Sequence, residues 1–310
     1  MLLYGLIIFC IFALMLYYRR KILLSLLQVF GGKLNAIHLQ KLLFLFTRTQ
    51  TEKSFDFVPY QYGCFSFQAN QDLCTMQKYG YINYPDNKTV ELISKDDFFV
   101  LLDMFDQAEM NHLKVKFGDM NTGDVVKYTY REYPYYAINS KIAHRLMNAE
   151  ELERIEKQKR HFEEPTLFTI GYEGLSLEAY INKLIINDVR LLCDVRKNAF
   201  SQKYGFSKSQ LAMACTGVGI KYVHVPQLGI ESEKRENLRS QRDYDILFDE
   251  YERTTLTQNI EVLLYVRGLI DTHKRIALTC FERDPKQCHR SRVAKALMQL
   301  PNRNYSIKIL

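Results

Sequence analysis

A chain of 310 residues that is 47% hydrophobic and 25% charged has enough apolar material for two domains with cores of their own, which excludes a disordered chain. Its seven cysteines form no CxxC pair and several lie inside apolar runs, so neither a disulfide framework nor a zinc ribbon is indicated and the compartment reads as reducing. The net charge of +7 falls mostly after residue 150, a basic bias compatible with nucleic acid or a phosphorylated ligand.

Residues 1–18 carry no charge and are almost wholly apolar, and Arg19-Arg20-Lys21 comes directly after them. A run of about 18 residues is just long enough to span a bilayer, and the basic flank would keep the rest of the chain in the cytoplasm. The run lacks a basic leading region and a small-residue cleavage site, which argues against a removed signal peptide. Two expectations stand side by side: a membrane anchor over 1–18, or initiation at Met15 and a cytoplasmic protein without it.

From residue 19 to 160 the pattern is that of an α+β domain. Ile22, Leu23, Leu26, Leu27 and Phe30 make one helical stripe, stopped by Gly31-Gly32, and Leu39, Leu42, Leu43 and Phe46 make another. After these come an aromatic Phe55–Ser66 stretch, a polar-faced helix near Gln68–Lys78 and a hairpin over Tyr81–Leu92. The runs LQKLLFLF (39–46), YQYGCFSF (60–67) and KYGYI (78–82) resemble the Panacea/SocA-like winged-helix group, with Cys64 where a proline is common there. The resemblance implies a winged helix that binds DNA through Gln68, Asn70, Gln71, Thr75 and Lys78, or else a protein partner. The tyrosine-rich Tyr128–Tyr136 is expected to pack between domains rather than to stack bases. Glu150–Arg160 is a charged helix, and His161–Pro165 reads as the linker.

Residues 166–310 alternate strand and helix. Strands are expected over Leu167–Ile170, Val189–Cys193, Ile220–Val225, Arg275–Cys280 and Ser306–Leu310. Between them come a helix capped by Ser176, a helix opened by a Ser207/Gln210 capping box, and helices over 243–253 and 258–272. Repeated βα units of this length predict an α/β fold, a mostly parallel sheet with helices on both faces. Ligands in such sheets sit beyond the carboxyl ends of the strands, where this chain places Gly171-Tyr172, Asp194-Val195-Arg196, His224, and Cys280 with Glu282. The charged segment Ser232–Asp243 is too long for a routine connection and is expected to cover that crevice.

Asp284-Pro285-Lys286-Gln287 has the grammar of a helix start, with an acidic cap, proline at the first position and glutamine at the capping-box position. Helical phase then puts His289 and Arg290 over Cys280 and turns Cys288 nearly opposite, with Arg292 and Lys295. A thiol beside an imidazole, a guanidinium and a helix N-terminus favours thiolate, so Cys280 is a candidate nucleophile, with His289, Asp194 and Glu282 as acid–base or orienting groups. Gly171, Tyr172, Arg196, Cys288 and Arg290 are candidate ligand-binding residues, with Arg196 and Arg290 clamping an anion from two sides. Pairing of Asp194 with either arginine is the structural alternative. A zinc site of Cys193, Cys280, Cys288 and His289 would need a distorted helix start, because Cys288 and His289 are adjacent; no metal and no cofactor is therefore expected. Nine residues separate Cys280 from Arg290, and no glycine-rich phosphate loop is present, which sets aside the Cys-x5-Arg phosphatase loop and the P-loop.

The segments TIGYEG (169–174), LCDVRKN (192–198), KYGFS (203–207), GIKYVHVPQLGI (219–230) and ALTCFERDPKQCHR (277–290) resemble the family called domain of unknown function 488. Many members read TIGHS where this chain has Tyr172 and Glu173, so a histidine at that point is absent. The resemblance implies an α/β fold and a site built from Gly171, Asp194, Arg196, Cys280, Glu282, Cys288, His289 and Arg290, and it brings no established activity. Two functions stand as expectations. One is an enzyme, a hydrolase or transferase, acting on a nucleotide or nucleic-acid phosphate in a Cys/Arg anion pocket. The other is a ligand-sensing regulator that binds DNA or a partner through the winged helix.

Overall fold

The computed structural model describes residues 16–235, 238–301 and 304–310. The chain divides into two compact units, Met1–Gln158 and Lys159–Leu310.

In the first unit, helix α1 (Tyr18–Val29) stops at Gly31 and Gly32, whose φ of 90° and 78° glycine adopts without a Cβ penalty, and the chain turns into strand β1 (Lys33–Asn35). The Asn35 side chain accepts from the Ile37 N–H and starts α2 (Ala36–Thr47). The aromatic stretch folds as the hairpin β2 (Val58–Tyr60) and β3 (Gly63–Phe65), and Ser66 caps α3 (Phe67–Lys78). Strands β4 (Ile82–Asp86) and β5 (Thr89–Leu92) pair antiparallel, and β1 joins β5 to make a three-stranded sheet. Helices α4 (Met104–Phe117), α5 (Thr122–Glu132), α6 (Ala143–Leu146) and α7 (Ala149–Glu156) complete the unit.

Leu23, Leu27, Leu42, Phe46, Leu73, Met110 and Val125 meet in one core. The tyrosine-rich segment packs against it: Tyr133 and Tyr136 stand edge-on to Phe44 at 5.0 and 4.6 Å. Arg19 and Arg20 hold the fully buried Asp72 of α3 at 2.6 and 2.7 Å. Among the described residues no helix is long and apolar enough to cross a membrane. The expected span over 1–18 lies, up to Met15, outside the described residues.

The second unit is a mixed α/β body around a five-stranded parallel sheet. Strand β6 (Thr166–Gly171) leads to α8 (Leu177–Ile186), β7 (Leu191–Asp194) to α9 (Lys208–Gly217), and β8 (Lys221–His224) to α10 (Gln241–Tyr251). A π-helical turn over Glu252–Leu256 connects α10 to α11 (Ile260–His273). Then come β9 (Arg275–Cys280), α12 (His289–Gln299) and β10 (Ser306–Ile309). The strand order is β10-β6-β9-β7-β8, every pair parallel. Strands β6 and β9 are buried at every residue, as expected of strands covered on both sides. Leu167, Leu191, Cys193, Ile276 and Leu278 face the layer of α10, α11 and α12. On the other face α8 sends the Tyr180 hydroxyl to Thr279 at 2.7 Å. The loop after β6 thus leads to one face and the loop after β9 to the other, and a crevice opens at their carboxyl ends.

The Ser207/Gln210 capping box does not form. The Ser207 hydroxyl accepts from Ser201 N–H and donates to Ser201 O, while Gln210 accepts from Gly205 N–H, so both side chains tighten the 201–207 loop instead of the helix start.

Candidate functional site

Register sets the site. Gly171, the last residue of β6, lies beside Cys280, the last of β9, and Asp194, the last of β7, beside His224, the last of β8. A Cβ on Gly171 would stand 1.9 Å from the Glu282 carbonyl oxygen, so glycine is required for the 281–283 loop to cross the end of β6. The close approach is made by the chain itself.

The expected helix start at Asp284 divides in two. The Asp284 side chain accepts from Lys286 N–H and caps a single 3-10 turn, Pro285–Gln287; the chain then extends at Cys288 (φ −131°, ψ 131°), and α12 begins at His289. This corrects the phase argument for Cys288. Outside the helix, its side chain does not follow the helical wheel, and the buried Cys288 sulfur lies with Cys280 Sγ and a His289 ring nitrogen, all within 4.8 Å of one another. Cys193 is not of that group.

The imidazole of His289 is held at both ends. Its Nε2 lies 2.9 Å from Val195 O and donates to that carbonyl, leaving Nδ1 3.6 Å from Cys280 Sγ. Cys280 Sγ is also 3.1 Å from Glu282 Oε2, and the other carboxylate oxygen of Glu282 pairs with Arg235. Burial works against ionising Cys280, but a hydrogen bond from Cys288, the charge and hydrogen bond of His289, and the Arg235 charge outweigh it and hold the thiol well below its ordinary range. Burial, with the charge on Cys280, pushes Glu282 up; burial, with the bond to Cys280, pushes Cys288 well up. For His289 burial disfavours the imidazolium, and Cys280 more than restores it.

Cys280 and His289 open onto a cavity of about 320 Å³ whose wall, among the described residues, carries Arg196, Lys197, Lys203 and Arg235 and no carboxylate. Arg196 is fixed by Asp194, which accepts from Nε at 2.8 Å and Nη2 at 2.5 Å, and by the Tyr172 hydroxyl at 2.8 Å. Lys203 donates to Tyr172 O at 3.1 Å, and burial lowers its pKa. Arg235 reaches the wall from the charged segment after β8, and its Nε and Nη2 are buried with no partner among the described residues.

Of the residues singled out from sequence, Cys280, His289, Arg196 and Tyr172 line the cavity, and Glu282 and Cys288 touch Cys280. Asp194 does not reach the wall; both of its oxygens are taken by Arg196, with a third partner in the Tyr222 hydroxyl at 2.6 Å, so of the two expectations, orienting an arginine or acting as a base, the geometry has the pairing with Arg196. Arg290 is fully buried, away from the cavity wall, and clamps the loop by donating to Glu282 O and Arg283 O, with its Nε buried and without a partner among the described residues. Arg235 and Lys203 escape a reading of the sequence, because a cation in a charged loop looks like solvent-facing surface; the excess length of the Ser232–Asp243 segment is the available signal.

No curated protein matches the chain. Residues 176–297, from the cap of α8 into α12 and therefore containing Asp194, Arg196, Arg235, Cys280 and the Cys288-His289 step, match the family model described as Domain of unknown function DUF488.

Proposed function

We propose that the second unit binds a phosphate-bearing ligand, a nucleotide or a nucleic-acid phosphate, and acts on it where Cys280 and His289 form the cavity floor. The observation that carries this reading is Arg235: a guanidinium drawn into the wall with two buried nitrogens unpartnered, beside Arg196, Lys197 and Lys203, is a cost that a bound oxyanion would relieve. An adjoining hollow, lined by Phe200, Tyr222 and His224 and sharing Lys197, Asn198 and Phe200 with the cavity, supports a nucleotide over a bare phosphate, since it offers a ring a surface to lie on. Phe200 is 71% exposed, as a side chain waiting for such a ring would be.

We read the first unit as a Panacea/SocA-like winged helix that directs this chemistry to DNA or to a protein partner. The reading is supported by its element order and by the outward Asn70, Gln77 and Lys78 of α3. Gln68 and Thr75 are turned instead to Asp72 and to the Gln71 carbonyl.

Titration calorimetry of the full chain with a nucleoside monophosphate tests the pocket. Lys203→Ala and Arg235→Gln should each weaken binding by about 1.5–3 kcal/mol, roughly 10- to 150-fold. Affinity indifferent to both substitutions and to salt would remove the pocket. Binding without turnover of any phosphate ester would move the protein to the ligand-sensing class.

A further inference from the structure

We infer that Cys280, Cys288 and His289 hold a divalent cation of the zinc class, with its fourth ligand position on the cavity. Three observations carry this. The two sulfurs and the His289 nitrogen all lie within 4.8 Å of one another, and all three residues are buried. Tetrahedral zinc with metal–sulfur bonds of about 2.3 Å and a metal–nitrogen bond of about 2.0–2.1 Å sets sulfur and nitrogen about 3.6 Å apart. Cys280 Sγ and His289 Nδ1 are 3.6 Å apart. The bond from His289 Nε2 to Val195 O fixes the ring so that Nδ1 is the free ligand atom, the outer-shell arrangement that metal-binding histidines use.

The objection raised by the sequence, that adjacent Cys288 and His289 cannot both ligate from a regular helix, is answered by the break between the 3-10 turn and α12. Cys288 is extended where a helical residue would point away. Two thiolates and an imidazole are a donor set that selects zinc over magnesium or calcium. Cys280 and His289 line the cavity while Cys288 does not, so the open position faces the ligand. Glu282, tied to Arg235, reaches the ligand cluster from behind, with Oε2 3.1 Å from Cys280 Sγ. What the ion would do, bind a water or a phosphate oxygen at that position, rests on the pocket reading above; whether it binds does not.

The test uses the full chain, purified under a thiol reductant, with Zn²⁺ and Co²⁺ alone as probes. Elemental analysis should find one zinc per chain. The cobalt form should show thiolate-to-metal charge transfer and the visible bands of a four-coordinate ion. Cys288→Ser should weaken zinc by more than the roughly 10- to 100-fold that loss of an outer-shell partner costs. Cys74→Ser, in the other unit, should change nothing. The inference fails if the reduced native chain takes up neither ion, if cobalt binds without charge transfer, or if a Cys280–Cys288 disulfide persists under reductant. Phosphate affinity is read on the same samples. Zinc bound with no affinity for phosphate sinks the pocket and keeps the metal, and phosphate bound by a chain that takes no metal does the reverse.

Discussion

Single atoms decide whether the cavity exists. Gly171→Ala would bring a methyl into the Glu282 carbonyl, and backbone cannot yield as a flexible side chain does. The 281–283 loop would have to lift, carrying Glu282 from Cys280 and breaking the carbonyls away from Arg290. The expected outcome is a loss of about 1–3 kcal/mol in stability by urea unfolding, together with loss of anion binding. Gly268→Ala is the control. It lies inside α11 with nothing within 4 Å, and should add about 0.4–1 kcal/mol by removing backbone freedom from the unfolded chain. A Gly171→Ala chain as stable as the native one, with its binding intact, would show that the loop is not anchored there. At this scale Cys280 and His289 are legible in the sequence, because a buried strand ending in a polar residue is a one-dimensional pattern. Cys288 is legible as a candidate but not in its direction, since one residue of extended chain between two helical turns shifts every phase assignment before the break. Arg290 reads as a free cation because the carbonyls it serves come from a loop whose path only the fold decides.

Helices show the same limit from the other side. The sequence of α2 reads as one apolar stripe, Leu39, Leu42, Leu43 and Phe46. The helix is instead buried nearly all round. Gln40 pairs with the backbone of Ser66, and Lys41 reaches Cys64 O at 2.8 Å. Burial pushes Lys41 down and the Cys64 thiol up to about 11. Periodicity cannot announce such groups, because it assigns every polar residue to water. His38 makes the consequence measurable. Burial lowers its pKa, its Nδ1 lies 3.4 Å from the Thr122 hydroxyl, and its Nε2 is buried without a partner among the described residues. The unfolded chain protonates His38 at about pH 6.5, the folded chain only lower, so between the two values the unfolded state binds more protons. Stability contributed by the neutral ring is present above pH 6.5 and is lost as pH falls through the folded value. The urea midpoint of the first unit should therefore drop on acidification below about pH 6.5, and His38→Leu should flatten that part of the profile. An unchanged slope in the variant would assign the acid sensitivity elsewhere.

At the scale of the whole molecule the chain is two compact units, each with a core of its own. The first cluster of buried side chains runs from Leu16 to Val125 and the second from Leu167 to Tyr305, with no residue in common. Between them Lys157–Glu164 is exposed throughout, and the family match falls wholly inside the second unit. The division is visible in the sequence as a change from an aromatic, hairpin-punctuated pattern to regular βα alternation, because each pattern is local and repeats within its own unit. The pairing of β10 beside β6 is not local and has no sequence mark of its own. A fragment over 159–310 has its complete sheet, both helical layers and every residue of the candidate site, and should unfold cooperatively as an independent domain. It should bind zinc and nucleoside monophosphate with the affinities of the full chain, within the two- to threefold scatter of such measurements, whereas 16–158 should bind neither. If the site lies in the second unit alone, cutting at the exposed segment costs it nothing. Loss of both affinities in a fragment that circular dichroism and urea unfolding show to be folded would mean that the first unit completes the site, and would turn the search for a substrate toward one that engages both halves.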